Sequence, residues 1–252
     1  MKLLTLARDL KRRKARERQG LFAAEGVRAV EELLRSPLRL RGALVAPQLA
    51  DAPRGAALLA SLRGAGIELA ELAPLDFASA AETDSPQGVL AIAEIPDAGT
   101  AALVLPSPAR IVVLDGVQDP GNVGTILRTA AALGASAVLA MPGTVDLWNA
   151  KVVRSAMGAH FHMPAFAATW EQLDELRQRD GLVIWGADAG GTALDQLRAP
   201  ARLGLLVGNE GAGLSPEGRA RADTIAALPI GALVESLNVA VATGIFLYQL
   251  RT

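Results

Sequence analysis

Three glycine-rich segments with polar side chains follow apolar stretches of this sequence. Residues 115–125 (DGVQDPGNVGT) contain Asn122 and lead into a helical stretch that carries Arg128. A loop that opens a helix leaves backbone N–H groups facing a ligand. This loop is longer than a strand-to-helix turn needs, and Asn122 and Arg128 are polar in a segment of mostly small or apolar residues. A turn without function has a similar composition, so both interpretations stay open.

The other two segments lie near the carboxyl end of the chain. Residues 208–213 (GNEGAG) place Glu210 among three glycines, which let backbone approach a flat ligand closely. A surface turn with a solvated glutamate is the alternative. Residues 229–238 end in Ser236-Leu237-Asn238 before an apolar helix. Capping explains Ser236, but not Asn238, a poor helix former. Because ligands gather at the carboxyl ends of parallel strands, the three segments predict one site.

The elements that must position these segments alternate between strand and helix. The predicted strands are residues 111–114, 137–140, 182–185, 203–207 and 224–228, and the predicted helices are residues 121–133, 169–179 and 236–250. Thr169 and Gln172 have capping-box spacing, and Ser215-Pro216 matches an N-cap with proline at the first helical position. This alternation predicts an α/β class with a mostly parallel sheet.

Residues 1–96 predict a small α/β domain of their own. Its predicted helices are residues 27–34 and 56–63, and its predicted strands are residues 42–45, 67–72 and 89–92. Prolines and small residues make 97–109 a linker. We therefore expect domains at 1–96 and 110–252.

Composition excludes several classes of protein. Half of the 252 residues are apolar, enough for a sizeable core. The longest uncharged stretches, 129–145 and 236–250, are too short to span a bilayer, and the start lacks the pattern of a secretory signal. We expect a cytoplasmic protein without membrane association. With no cysteine and two histidines, we expect no metal.

Basic charge is concentrated at the amino end of the chain. Residues 1–41 hold twelve Lys/Arg against five Asp/Glu, although the whole chain has a net charge of −1. The basic residues expected to contact phosphates are Arg8, Lys11, Arg12, Arg13, Lys14, Arg16 and Arg18. A solvated helix face is the alternative interpretation of this run.

Common nucleotide fingerprints do not explain the glycine loops. There is no G-x-G-x-x-G after a strand and no G-x-x-x-x-G-K-[ST], so a dinucleotide-dependent dehydrogenase is disfavoured. The ordered motifs instead resemble those of the SpoU/TrmH family of RNA ribose 2′-O-methyltransferases. These motifs are Asn122-x-Gly124-x-x-x-Arg128, Gly208-Asn-Glu-Gly-Ala-Gly213 and Ser236-Leu-Asn238, with Arg154-Ser155-Ala-Met-Gly158-Ala159 between the first two.

The resemblance implies a trefoil-knotted SPOUT fold for the carboxy-terminal domain and a homodimer with active sites at the subunit interface. It implies S-adenosylmethionine as the methyl donor. The donor-binding residues it implies are Gly208, Asn209, Gly211, Leu228, Ile230 and Leu237. The segment 20–28 resembles part of the small RNA-recognition domain of rRNA-directed members, which adds Arg28 to the expected RNA contacts.

The catalytic residues implied by the resemblance are Asn122, Arg128, Glu210, Ser236 and Asn238. The reaction is in-line attack of a ribose 2′ oxygen on the methyl carbon of a sulfonium. A guanidinium stays protonated, so Arg128 suits stabilisation of the developing alkoxide better than proton abstraction, which stays open. Asn122 orients the ribose or Arg128, and Glu210 positions the guanidinium or lines the site. Ser236 and Asn238 hold the loop and the substrate.

Several alternatives stay open at the level of sequence. His160 and His162 are possible bases, but they lie in a segment that we interpret as a strand beside Pro164. The chain could also be a non-catalytic RNA-binding assembly factor or a tRNA ribose methyltransferase. Base methylation is disfavoured only by the resemblance. We expect rRNA as the substrate, with the methylated nucleotide undetermined.

Overall fold

The fold is described from a computed structural model that covers residues 2–97, 99–231 and 233–251. The helices are α1 Lys2–Asp9, α2 Arg13–Gln19, α3 Val27–Arg35, α4 Pro53–Gly64, α5 Pro74–Ala80, α6 Pro120–Ala132, α7 Ala150–Ala156, α8 Trp170–Asp180, α9 Pro216–Arg221 and α10 Val239–Leu250. The strands are β1 Leu21–Glu25, β2 Leu40–Val45, β3 Leu69–Glu71, β4 Val89–Glu94, β5 Ala109–Asp115, β6 Ala137–Ala140, β7 Ala165–Ala167, β8 Val183–Ala193, β9 Arg202–Gly208 and β10 Thr224–Ala227.

The chain divides into two compact units. The amino-terminal unit comprises Met1–Asp97 and Trp148–His162, and the carboxy-terminal unit comprises Ala98–Leu147 and Met163–Thr252. The second unit is therefore interrupted, which differs from the continuous domain 110–252 expected from sequence. Aromatic packing accounts for the excursion, because Trp148 and Phe161 contact Phe22 of β1 at 4.5 and 5.5 Å between ring centroids.

Most of the segment 97–109, expected to be a linker, forms part of the carboxy-terminal unit instead. It contains a short 3₁₀ helix, Thr100–Ala102, and β5 already begins at Ala109. Leu103 and Leu105 are buried in the core of the carboxy-terminal unit. Proline content indicated a linker, but the two leucines stabilise the segment against the unit by burying apolar surface.

The amino-terminal unit is built on a four-stranded sheet with the order β1-β4-β2-β3. Its pairs β1–β4 and β4–β2 are antiparallel, whereas β2–β3 is parallel. Leu44, Phe77, Leu90 and Ile92 belong to its core. Sequence reasoning found neither β1 nor α5. The strand β1 is short and follows a charged helix, so its apolar content did not stand out.

The carboxy-terminal sheet has six strands in the order β10-β8-β9-β5-β6-β7. Every pair in it is parallel, as the alternation of strands and helices predicts. The segments after β5 and β9 leave the sheet side by side, since these strands pair over their whole length up to Asp115 and Gly208. From β5 the chain moves outward to β6 and β7, and β9 returns on the other side, which makes this the switch point of the sheet.

Local signals at helix ends were confirmed at two places and corrected at a third. Thr169 forms the predicted capping box with Gln172, and Ser215 caps α9. The last helix, however, begins at Val239, and Asn238 is its N-cap instead of Ser236. None of the helices in the described ranges combines the length and apolar character needed to cross a membrane.

His160 lies in a short 3₁₀ helix, Ala159–Phe161, and not in the expected strand. Its ring is 2% exposed and packs against Trp148 and Phe161 at 4.7 and 4.9 Å between centroids. Neither ring nitrogen has a hydrogen-bond partner among the described residues. Burial lowers the pKa of His160 to about 3, so the ring is neutral at pH 7 and serves as a core residue.

The burial of His160 predicts sensitivity to acid. The unfolded chain protonates this ring below about pH 6.5, whereas the folded chain keeps it neutral down to about pH 3. The free energy of unfolding should therefore fall as pH decreases through this window, by about 2 kcal/mol from pH 7 to pH 5. Urea unfolding of wild type and His160→Leu at both pH values measures it. A variant that loses as much stability as wild type between these values contradicts the assignment.

Candidate active site

The loops after β5 and β9 are held together by side chains at the carboxyl edge of the sheet. Asn209 Nδ2 donates to the carbonyl of Gly116 at 2.9 Å, and Asn209 Oδ1 accepts from the N–H groups of Gly211 and Ala212. The buried carboxylate of Asp115 accepts from the N–H of Ser215 at 2.7 Å. Asn209 therefore shapes the loop 208–213 and connects it to its neighbour.

Gly208 is required by this loop itself. A Cβ on Gly208 would lie 2.2 Å from the carbonyl carbon of Gly213, which is too close for any side chain. The N–H groups of Asn209 and Gly213 each donate to the carbonyl of the other residue, which closes the turn. The glycines predicted from sequence as points of ligand approach thus also permit the turn to form.

Glu210 connects the second loop to the first. Its carboxylate accepts from the N–H of Gln118 at 3.2 Å, from the N–H of Asp119 at 3.0 Å and from Asn122 Nδ2 at 3.0 Å. Partial burial raises the pKa of Glu210, but the hydrogen bonds from Asn122 and from backbone N–H groups outweigh it, so the pKa lies below its ordinary value. A carboxylate with a lowered pKa is a weak base, which favours a positioning role.

Asn122 and Asn238 extend this connection to the third segment. Because a carboxylate only accepts, Asn122 must turn its amide NH₂ towards Glu210, and its Oδ1 accepts from Asn238 Nδ2 at 2.9 Å. Asn238 Oδ1 in turn accepts from the N–H groups of Ala240 and Val241 and caps α10. We call the chain Glu210–Asn122–Asn238 the polar relay. It joins the three segments that sequence reasoning singled out.

Arg128 lies outside the polar relay. It is exposed on α6, about 9 Å along the helix axis from Asn122. Within the described ranges, no hydrogen bond or ion pair engages its guanidinium. Glu210 therefore does not position Arg128 by direct contact, one of the two roles considered for it. The guanidinium is left uncommitted on the surface of the unit.

A cavity of about 510 Å³ opens between the second and third segments, a volume typical of small-molecule sites. It is lined by Gly208, Asn209, Glu210, Gly211, Gly213, Leu228, Ile230, Ser236, Leu237 and Asn238, together with Ala187, Asp188, Ala189, Val207, Val239, Ala242 and Phe246. All six residues predicted to bind a donor are among these. Ser236 lines the cavity as an exposed residue.

Sequence reasoning missed Asp188, which lines the same cavity from β8. Its carboxylate accepts from the N–H of Gly190 at 3.0 Å and from Arg219 Nη2 at 2.5 Å. The hydrogen bond from Gly190, followed by that from Arg219, holds the pKa of Asp188 below its ordinary value. The adjacent Gly190-Gly191 pair was the available sequence signal, since paired glycines in a strand indicate an irregularity.

The basic residues of the amino-terminal unit divide into two groups. Arg16 is 4% exposed and donates to the carbonyls of Leu10 and Lys11, so it stabilises the turn after α1. This placement contradicts its predicted contact with phosphate. The sequence run did not reveal that one member folds back onto carbonyl groups left open at the helix end.

The remaining members of the basic run are exposed. They are Arg8, Lys11, Arg12, Arg13, Lys14 and Arg18, and Arg28, outside the run, is exposed as well. Arg12 and Arg18 pair with Asp9, and Arg13 pairs with Glu17. Lys11 Nζ donates to the carbonyls of Ser79 and Ala81. Surface ion pairs of this kind are weak, so phosphate groups can compete for most of these cations.

Comparisons with known proteins match both units. The SpoU rRNA Methylase family matches residues 109–248, and the MRM3-like substrate binding domain matches residues 5–91. The chain is 35% identical over 246 residues to the 23S rRNA (guanosine(2553)-2′-O)-methyltransferase RlmP of Bacillus subtilis, covering 97% of this chain and 94% of that protein.

Solved structures are similar over the full chain as well. The SpoU methyltransferase AviRb from Streptomyces viridochromogenes, in complex with AdoMet, has a TM-score of 0.89 at 29% identity and covers 98% of this chain and 96% of its own. A putative RNA methyltransferase of the TrmH family from Porphyromonas gingivalis has a TM-score of 0.84 at 32% identity, covering 98% and 96% respectively.

The two bonds of Asn238 can be separated by substitution. Asn238→Ala removes the cap of α10 and should lower the free energy of unfolding by about 1 kcal/mol. Asn238→Ser keeps a capping oxygen but cannot replace the amide bond to Asn122, and should cost only a few tenths of a kcal/mol. Denaturant unfolding of both variants measures the difference. Equal destabilisation by Ser and Ala would show that the bond to Asn122, and not the cap, carries the stability.

Proposed function

The chain belongs to the SpoU rRNA methylase family, and from this premise we propose that it methylates the ribose 2′-hydroxyl of a guanosine in 23S rRNA. The similarity over nearly the whole chain to a protein named as a 23S rRNA guanosine 2′-O-methyltransferase carries this proposal. A second such relative, RlmB of Bordetella pertussis, is 36% identical over 169 residues. Both units take part, since family matches cover both.

The methyl donor is S-adenosylmethionine, and the cavity suits it. Leu228, Ile230 and Leu237 offer an apolar lining for adenine, while loop backbone at Gly208 offers N–H and carbonyl groups. The negative side chains Asp188 and Glu210 complement a cationic ligand. When bound, the donor supplies a methyl group already activated by the positive sulfur.

The chain's own residues then need to orient the ribose and stabilise its oxygen. The lowered pKa of Glu210 and the three donors that it binds in the first loop make it a structural anion that fixes Asn122. Arg128 has no protein partner in the described ranges and is therefore available to the substrate, and a guanidinium near the developing alkoxide lowers its energy. We assign Arg128 to charge stabilisation and the polar relay, with Ser236, to positioning of the ribose.

RNA is bound by exposed cations of the amino-terminal unit in this proposal. Lys14 and Arg28 are exposed, and the paired members of the basic run exchange weak surface partners for phosphates. Release of counterions makes such binding salt-dependent. Arg16 contributes to this binding only by stabilising the turn after α1.

A homodimer is part of the proposal. On α10, Val241, Ile245 and Tyr248 follow the spacing of one helix face and are 52%, 40% and 52% exposed. Leu233 and Val234, in the third segment, add exposed apolar surface. A second copy of the chain covers such a surface well. We also infer that α10 threads a loop to form a trefoil knot, and that the enzyme acts in the cytoplasm, where rRNA is available.

Mapping of 2′-O-methyl groups tests the proposed function. The purified chain with S-adenosylmethionine should methylate 23S rRNA from cells lacking the gene, at one guanosine, and the same site should be unmethylated in those cells. Methylation of tRNA under the same conditions, with none in 23S rRNA, would replace the substrate assignment. Loss of methylation on an RNA with a 2′-deoxy target separates ribose from base methylation.

Arg128→Ala should reduce the rate of methyl transfer by at least about a hundredfold while leaving donor affinity within about twofold, because its charge acts on the ribose oxygen. Arg198→Ala is the matched control, since Arg198 precedes β9 at the opposite edge of the sheet and is exposed. Single-turnover transfer from labelled donor and calorimetric titration measure the two quantities. Near-normal transfer by Arg128→Ala would contradict the assigned role.

A further inference from the structure

The strand β8 departs from regular pairing where it leaves the sheet. Residues 185–186 pair with residues 224–225 of β10, and residues 192–193 pair with the next two residues of β10. The five residues 187–191 therefore bulge out of the ladder at the register shift. Bulges redirect side chains and are frequent beside active sites. This bulge lies at the carboxyl edge, where the cavity opens.

The bulge directs the carboxylate of Asp188 to the cavity. Asp188 and its neighbours Ala187 and Ala189 all line it. The loop 208–213 lies close to this carboxylate, since a Cβ built on Gly213 would lie 4.0 Å from Asp188 Oδ2. The N–H of Gly190, inside the same bulge, holds Oδ1 at 3.0 Å. The carboxylate is therefore fixed in place before any ligand binds.

The charged side chains that line the cavity in the described ranges are all negative. Among its described lining residues, the ionisable side chains are Asp188 and Glu210, and neither lysine nor arginine is present. Both oxygens of Glu210 accept from the first loop, whereas Asp188 lines the cavity from β8 and makes no hydrogen bond to that loop in the described part of the chain. Arg219 pairs with Asp188, but its side chain is 51% exposed to solvent and does not line the cavity. Solvent screens the cation more than the carboxylate.

We propose that Asp188 makes the cavity discriminate by charge, so that it binds the sulfonium donor more tightly than the thioether product. The donor carries one more positive charge than S-adenosylhomocysteine, at the sulfur, and is otherwise larger by only a methyl group. A methyl group in a pocket is recognised through shape and apolar contact, whereas a charge beside a fixed carboxylate in a partly enclosed site is recognised electrostatically. Asp188 thus favours replacement of the product by a new donor molecule after each transfer. The inference rests on the donor site of the proposed function.

Calorimetric titration of the full chain tests this role. The ligands are S-adenosylmethionine, S-adenosylhomocysteine and a donor analogue with a protonated amine in place of the sulfonium. We expect Asp188→Asn to weaken both cationic ligands by about tenfold, or about 1.4 kcal/mol, and the product by no more than about twofold. Ratios between ligands titrated into one preparation are insensitive to a fraction of unfolded variant.

Arg219→Gln is the matched control, because it breaks the same ion pair from the other side. It leaves Asp188 charged, so the preference for cationic ligands should stay at its wild-type value or increase. If Asp188 only held α9 against β8, both variants would lose affinity for all three ligands alike, and that result overturns the proposal. An unchanged ligand ratio in Asp188→Asn also overturns it. No RNA is present, so a wrong RNA assignment would leave these affinities unaltered.

Discussion

The carboxylate of Glu210 organises the candidate site. It accepts hydrogen bonds from the backbone of the first loop and from Asn122, and Asn122 in turn accepts from Asn238 of the third segment. An anion can only accept, so its presence fixes which atom of Asn122 faces it and therefore which atom of Asn238 faces Asn122. The N-cap of α10 follows from that orientation. One charge thus sets the direction of every hydrogen bond in the polar relay.

This arrangement separates the anion that builds the candidate site from the cation that we propose acts on the substrate. Glu210 has its hydrogen-bonding capacity directed to the protein, and its pKa is lowered accordingly. Arg128, by contrast, is exposed and uncommitted within the described ranges, so its charge is available to a substrate oxygen. Had the two formed an ion pair, the field of the guanidinium at the ribose would have been reduced.

The amino-terminal unit shows how packing can change the assignment of chain segments and charges. The segment Trp148–His162 leaves the carboxy-terminal unit and packs against Phe22. Aromatic side chains that pack against one another bury a large apolar surface, which stabilises this arrangement. His160 is taken into this core without a partner and remains neutral. Arg16 is buried for a different reason, since it donates to the carbonyl groups of Leu10 and Lys11 after a helix end.

The sequence by itself determined the class of the fold, and it predicted the edge of the sheet and the three segments of the candidate site. Those features depend on local apolar runs, glycines and caps, which act over a few residues, as at β5, Thr169 and Ser215. Only the tertiary structure showed that the partners of Glu210 are backbone N–H groups and Asn122, and not Arg128. It also showed that Asp188 lines the cavity from a bulge in β8. Only the structure, likewise, showed that residues 148–162 belong to the amino-terminal unit. These outcomes depend on contacts between residues far apart in the chain, where burial and competition among partners are decided by packing and not by spacing.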